Sequence, residues 1–352
     1  MDLLILNYSM HSDSLVFSHQ RKVVSALSKH FERVTVLTSE YDLKSPGLNV
    51  NVMVQNWERG RAVKNAFRIL VVLIPFLTRN RNIVVFSHMT DVQCALISPL
   101  TRLLRIRHVL WYAHSHNSVY LNWSSFFVSS IVSSTPGSCN LRLNRGKLRF
   151  INQGISQEDF PYHSKRFVNL TRIFNYGRLD VSKNIHLFLD LLLALNQDKK
   201  VFSVDVYGNS SSGHSIEYLE GLKHLSKRPE FQSTFNIHPG LNRKNISSES
   251  EKYELFLNLF VGSLDKTLIE ATMLGLPVLT WNREYCEQFG TWSGNDVKES
   301  LDFILEELSF IRSMQEQKLR REILRRYHYA IEMHAFDGWI NRLLFVLNGG
   351  VK

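Results

Sequence analysis

Three charged residues stand close together in the stretch GSLDKTLIEATMLGLPVLT, residues 262 to 280: Asp265, Lys266 and Glu270. The stretch reads as an exposed tip, a short helix and a buried strand, so the charges fall where the helix begins. Ser263 and Asp265 are side chains of the kind that cap helix N-termini. The first-turn N–H groups about Ser263, Leu264 and Lys266 have no partner within the helix, and with the helix dipole they can hold phosphate oxygens. Glu270 lies further in, on a helix otherwise lined by Leu268, Ile269 and Ala271. A carboxylate there needs partners: two ribose hydroxyls would serve, and so would an unrelated salt bridge. Gly275 and Pro277 stop the helix.

A second charged element, YGRLDVSKN, precedes this one in the same half of the chain. Gly177 permits a tight turn at the end of a strand, and Arg178 and Lys183 follow near a helix start. A planar guanidinium fork and a point-like ammonium at one strand end suit a diphosphate. In WYAHSHN, His114 and His116 end another strand. Two histidines without a third ligand nearby do not make a metal site; they either support the fold or line a site.

These elements sit in a regular alternation. LLILNY, RVTVLTS, LNVNVMVQ, NIVVFSHM, RHVLWYAH, SSIVSS and LRFINQGI read as strands, with helices over residues 18–31, 61–78 and 91–104 between them. The polar stretch SQEDFPYHSKRFVNLT interrupts the pattern. It then restarts with RIFNYGRL, FSVDVYGN, TFNIHPG and LPVLTW as strands, NIHLFLDLLLALNQ and SIEYLEGLKHLSKR as helices, ESEKYELFLNLF as a helix leading into a strand, and residues 297 to 347 as helix throughout. Alternating strands and helices build parallel sheets covered on both faces, with ligands beyond the carboxyl ends of the strands. The expectation is an α/β chain of two Rossmann-like domains facing each other across a cleft. They span residues 1–163 and 164–329, and a C-terminal helix, 330–352, returns to the first domain.

The 352 residues carry a net charge of +10, which favours anionic partners. With no long Lys/Arg run and no aromatic RNA-binding signature, nucleic acid ranks below a phosphorylated ligand or an acidic lipid surface. Cys94, Cys139 and Cys286 lie far apart and are odd in number, which fits buried reduced thiols in a cytoplasmic protein better than a disulfide framework. MDLLILNYSM lacks the basic start and cleavage site of a signal peptide and reads as a first strand. The run FRILVVLIPFL, residues 67–77, is too short to cross a bilayer. Flanked by Arg61, Lys64, Arg79 and Arg81, it is either a core helix or a helix lying on a membrane surface.

YGRLDVSKN followed by SLDKTLIEATMLGLPVLT resembles the nucleotide-sugar-binding half of retaining GT-B glycosyltransferases, and within them the large family four that builds bacterial surface polysaccharides. The two-half layout and the helical tail extend the resemblance over nearly the whole chain. It implies that Arg178 and Lys183 grip the donor diphosphate and that Glu270 binds the ribose. The family's first glutamate, which touches the donor sugar, falls at Gly262, leaving Asp265 or Lys266 to compensate. His114 matches a family histidine near the donor sugar, and Gly208 and Gly240 stand where relatives contact the base. On the acceptor side, the resemblance places Ser18 and His19 where relatives carry a Gly-rich loop; His88 or Asp91 on another strand would line the same site, with His116 beside them.

The reaction implied is metal-independent, retaining transfer of a sugar from a nucleotide sugar, UDP- or GDP-linked, to a hydroxyl of a glycan or a polyprenyl-diphosphate-linked glycan. O-antigen, capsule or lipopolysaccharide synthesis would be its setting, with the protein in the cytoplasm or on the inner face of the plasma membrane. Two alternatives of the same fold are a non-catalytic nucleotide-sugar-binding subunit and a nucleotide-sugar epimerase. A dinucleotide-dependent oxidoreductase would need G-x-G-x-x-G after the first strand, and NYSMHSDS offers none.

Overall fold

Short runs of Val, Ile, Leu and Phe make the strands, and because nearly every position in most of them is buried, both faces of each sheet must be covered. The computed structural model describes residues 1–11, 18–44, 47–58, 60–164, 167, 169–197, 201–210 and 213–350. The chain divides into two units, Met1–Asn152 with Asp337–Lys352, and Gln153–Phe336.

The first unit holds β1 (Asp2–Leu6), β2 (Val34–Thr38), β3 (Val50–Val54), β4 (Ile83–His88), β5 (Arg107–Trp111), β6 (Ser130–Ser133) and β7 (Leu148–Phe150). They form one parallel sheet in the order β3-β2-β1-β4-β5-β6-β7. Helix α1 (Ser18–Ser28) follows β1, and α2 (Ala62–Arg79), α3 (Asp91–Leu103) and α4 (Val119–Phe127) connect β3 to β6. The second unit holds β8 (Arg172–Arg178), β9 (Ser203–Asn209), β10 (Phe235–His238), β11 (Leu255–Asn258) and β12 (Val278–Thr280), parallel and in the order β10-β9-β8-β11-β12. Its helices are α5 (Leu187–Leu195), α6 (Gly213–Ser226), α7 (Arg243–Ser250), α8 (Lys266–Met273), α9 (Arg283–Phe289), α10 (Leu301–Ser313) and α11 (Glu316–His334). Each sheet reverses its strand order once, between β1 and β4 and between β8 and β11. That reversal separates the outgoing loops and opens a crevice beyond the strand ends.

The unit boundaries differ from the sequence reading. Residues after Asn152 belong to the second unit because Ile155 donates its N–H to the His334 carbonyl at 2.8 Å, and Phe336 donates to the Ile155 carbonyl at 2.8 Å. Helix α12 (Phe336–Leu347) joins the first unit from Asp337 onward, where Trp339 meets Trp111 edge-on at 5.0 Å and Arg342 donates to the Ile151 carbonyl. Helices α4 and α9 are absent from the sequence reading, and the helix read at the start of ESEKYELFLNLF lies earlier, as α7. VYLNWSSFF is rich in aromatic and serine residues, which are indifferent helix formers; Ser118 starts the helix by accepting the Tyr120 N–H at 3.1 Å. Helix α9 has seven residues and depends on Asn282, whose side chain accepts the Tyr285 N–H.

All three cysteines are buried, and burial pushes their thiols up, to about 12 for Cys94 and Cys286 and about 11 for Cys139. Of the two readings of residues 67–77, the core holds for one face of α2: Ile69, Leu73 and Leu77 pack with Leu4, Leu6 and Val85. No helix among the described residues is long and apolar enough to cross a membrane.

Candidate functional site

The carboxyl ends of β8 and β11, on either side of the reversal in the second unit, carry the residues that the sequence singles out. At the end of β8, Gly177 has φ +141, a conformation that side chains strain. A Cβ on its β9 neighbour Gly208 would lie 2.2 Å from the Gly177 carbonyl. The ends of the two strands are therefore locked by close approach. Gly240, beyond β10, is held in the same way, with its N–H on the Asn209 side chain at 3.1 Å.

Past Gly177 the two cations diverge. The Arg178 side chain is 70% exposed, with Asp180 3.9 Å away. Lys183 is turned inward. Asp180 accepts the Ser182 N–H at 3.1 Å, Asn184 adopts a left-handed conformation at φ 52, and its side chain donates to the Leu259 carbonyl at 3.0 Å. These bonds fasten the loop after β8 to the end of β11. Lys183 Nζ reaches Asp265 Oδ2 at 2.5 Å and lies 4.1 Å above the Phe260 ring.

Asp265 is the N-cap of α8, and its side chain accepts the Thr267 N–H. Asn258, the last residue of β11, donates to the same carboxylate at 2.9 Å. Burial alone would raise the Asp265 pKa; the Lys183 charge and hydrogen bond, with Asn258 and the Thr267 N–H, hold it below the usual carboxylate value. The result is a largely enclosed ion pair at the positive end of a helix.

The tip before the cap is fixed from behind by residues at the start of α9. The Asn282 amide donates to the carbonyls of Phe260, Gly262 and Ser263, and Glu284 accepts the Leu264 N–H at 2.5 Å. This corrects one expectation: the Leu264 amide is engaged by Glu284, and its side chain is buried in the core, so Leu264 offers no open N–H to a phosphate. Asp265 is the cap, while Ser263 contributes a carbonyl to Asn282. Lys266 is the half-buried first residue of α8.

Gly262 has φ +146, and a Cβ there would stand 2.8 Å from the Phe260 ring. Position 262 therefore cannot take a side chain without moving Phe260, which lies under Lys183. Gly262→Glu is expected to destabilise the chain by roughly 1–3 kcal/mol, as read by thermal unfolding.

Glu270 is 4% exposed. Of its two open readings, the salt bridge is what the structure contains. Tyr176 donates its hydroxyl to Oε2 at 3.0 Å, and Arg243 Nη1 lies 3.2 Å from Oε1. Arg243 also donates to Asp159 at 2.8 Å and covers the Phe160 ring. Burial, then the Glu270 charge, pushes the Tyr176 hydroxyl well above its ordinary value, so it stays a donor. Oε1 nevertheless receives no hydrogen bond of good geometry. Asp159, Tyr176, Arg243, Asn258, Phe260, Asn282 and Glu284 all escaped the sequence reading. Only Asn258, a polar end to an apolar strand, carries a local signal.

In the first unit, His19 in the opening turn of α1 and His88 at the end of β4 meet edge-on with ring centres 5.4 Å apart. His88 is 1% exposed, which corrects its expected place as a lining residue: it supports His19 from within. His114 and His116 are exposed beyond β5; Tyr112 packs edge-on against the His114 ring and donates its hydroxyl to the His116 carbonyl at 2.8 Å. Asp91 accepts from the Ser118 hydroxyl at 2.7 Å. The side chain of Ser18 lies outside the described residues.

No protein-family model matches the sequence, and no curated protein matches it. Solved structures do resemble it. Alr3699/HepE of Anabaena in complex with UDP aligns at TM-score 0.73 and 13% identity, over 99% of this chain and 100% of that one. Sucrose-phosphate synthase (tll1590) of Thermosynechococcus elongatus aligns at 0.72 and 9%, over 99% and 98%. OtsA without ligand aligns at 0.76 and 10%, over the whole of both chains. At these identities the likeness speaks for architecture, and the architecture is the α/β fold of GT-B glycosyltransferases.

Proposed function

We propose that the chain is a glycosyltransferase that moves a sugar from a nucleoside-diphosphate sugar to a hydroxyl acceptor. The observation that carries this reading is the Lys183–Asp265 pair at the start of α8, at the strand-order reversal, with exposed Arg178 at the end of the neighbouring strand. Transfer breaks the bond between the anomeric carbon and the β-phosphate oxygen and forms one to the acceptor oxygen. The departing diphosphate gains negative charge, and the acceptor's proton has to leave. Arg178 and Lys183 supply fixed positive charge where that negative charge grows, in a place from which water is partly excluded. Asp265 holds the ammonium in position; two of its three N–H donors stay available for phosphate oxygens.

The finer reading follows the resemblance. The departing phosphate takes the acceptor's proton, so that the sugar retains its configuration without a glycosidase-like carboxylate pair. The nucleotide is uridine-based, as in the complexes solved for HepE. The acceptor is a glycan or a polyprenyl-diphosphate-linked glycan of a surface polysaccharide. The resemblance assigns His114 to the donor sugar, and His19 and His116 to the acceptor side. Gly262 favours one second reading, a subunit that binds the nucleotide sugar without turning it over, because the side chain expected to touch the sugar is missing.

Incubation with UDP- and GDP-sugars separates the two. Slow release of nucleoside diphosphate, accelerated by a glycan acceptor, is the expected result. Tight binding with no release under any acceptor would establish the binding subunit instead.

A further inference from the structure

We infer that the outer face of α2, α3 and α4 in the first unit is a docking surface for a bilayer carrying anionic headgroups. The inference concerns a different unit from the proposed donor site and does not depend on it.

The helical layer is apolar on both sides. Helix α2 turns Ile69, Leu73 and Leu77 to the sheet, and Val63, Phe67, Val71 and Ile74 outward, with Phe67 68% exposed. The outward four recur at helical spacing and form one stripe. A helix facing only water would carry polar residues there. Helix α4 repeats the pattern: Leu121 is buried, whereas Val119, Tyr120, Trp123 and Phe126 are exposed, Trp123 by 51%. Helix α3 packs between the two. Trp123 donates its indole N–H to the Ala95 carbonyl of α3 at 3.2 Å, and Leu103 at the end of α3 is 79% exposed. Scattered apolar residues on a surface need no explanation, but two exposed stripes on helices packed against one neighbour do. Tyr and Trp at the edge of such a patch suit the boundary between headgroups and acyl chains.

Charge identifies the occupant. Between Glu58 and Glu158 the chain holds thirteen Lys and Arg and one acidic residue, Asp91. Arg61, Lys64 and Arg68 gather at the start of α2 around the single carboxylate of Glu58, within 3.2 Å, so the group keeps a net positive charge. Arg79 and Arg81 are exposed at its end. Arg102, Arg105 and Arg107 line a cavity of about 660 Å³ at the end of α3. An apolar face fringed by cations repels a second copy of itself, because the two fringes would meet. It attracts a surface of phosphate headgroups above acyl chains.

The full chain is tested by co-sedimentation with phosphatidylcholine vesicles, with and without phosphatidylglycerol, at low and high salt. Sedimentation with the anionic vesicles only, weakened by salt, is the expected result. Phe67→Ser with Phe126→Ser is expected to lower partition at least tenfold; both side chains are exposed, so melting and UDP binding stay unchanged. Arg79→Gln with Arg81→Gln is expected to flatten the salt dependence. Absence of sedimentation, unaltered partition of the serine variant, or a dimer in sedimentation equilibrium that the serine variant abolishes would each overturn the inference.

Discussion

Lys183→Met is expected to lower the turnover of nucleotide sugar by roughly two to three orders of magnitude, since one preorganised donor to a developing oxyanion is worth about 3 kcal/mol. The side chain has a second job that confuses a simple reading. It neutralises Asp265 at 2.5 Å in a place where both side chains are largely enclosed. Removing one member of such a pair leaves an uncompensated charge and costs up to about 3–5 kcal/mol, so the single variant is expected to melt earlier as well. The double variant Lys183→Met, Asp265→Asn separates the two effects. An asparagine still caps α8, and no charge is left stranded, so most of the lost stability returns. If Lys183 acts on the diphosphate, turnover stays low in the double variant; if it only balances Asp265, turnover recovers and the proposed role fails. Arg178 gives the complementary measurement. It is exposed and weakly paired, so Arg178→Ala is expected to lower turnover with no change in melting temperature.

How much of this was legible depended on how local the signal was. The cap and the stop of α8 follow from residues within one short stretch, and the structure places Asp265 at the cap and Gly275, at φ +77, just past the end. The alternation of apolar and amphipathic segments gave the two parallel sheets. The partner of Lys183 was not legible, because Asp265 lies eighty-two residues away and only the sheet order brings them together. Helix α9 was missed because seven residues carry little periodicity, and with it went Asn282 and Glu284, which hold the tip of the site. Arg243 sits in the polar run NRKNISSES, where nothing local distinguishes it from a solvated residue. The outward stripe of α4 was hidden for a different reason: its aromatic residues do not read as a helix until the helix is seen.

Glu270→Gln should reduce affinity for a ribonucleoside diphosphate by about ten- to a hundredfold, the loss expected when a hydrogen bond to a charged group is weakened. The argument rests on Oε1. Tyr176 satisfies Oε2, whereas Oε1 has an arginine 3.2 Å away but no well-formed hydrogen bond, so a hydroxyl donor would complete it. A ribose supplies two hydroxyls. The glutamine variant removes the charge that balances Arg243 and so loses part of its stability along with its affinity. Arg243 is also bound to Asp159 and does not leave. Calorimetric titration with UDP and with 2′-deoxy-UDP resolves the matter. In the parent chain the deoxy ligand is expected to bind more weakly, and in Glu270→Gln the two converge. The pair Glu270→Gln, Arg243→Met removes the ion pair from both sides and restores stability. If discrimination between the two sugars returned with it, Glu270 would be a structural partner of Arg243 alone. If the two affinities stayed equal, the carboxylate is the ribose acceptor, and Arg243, with Tyr176, is what holds it in place at the crevice.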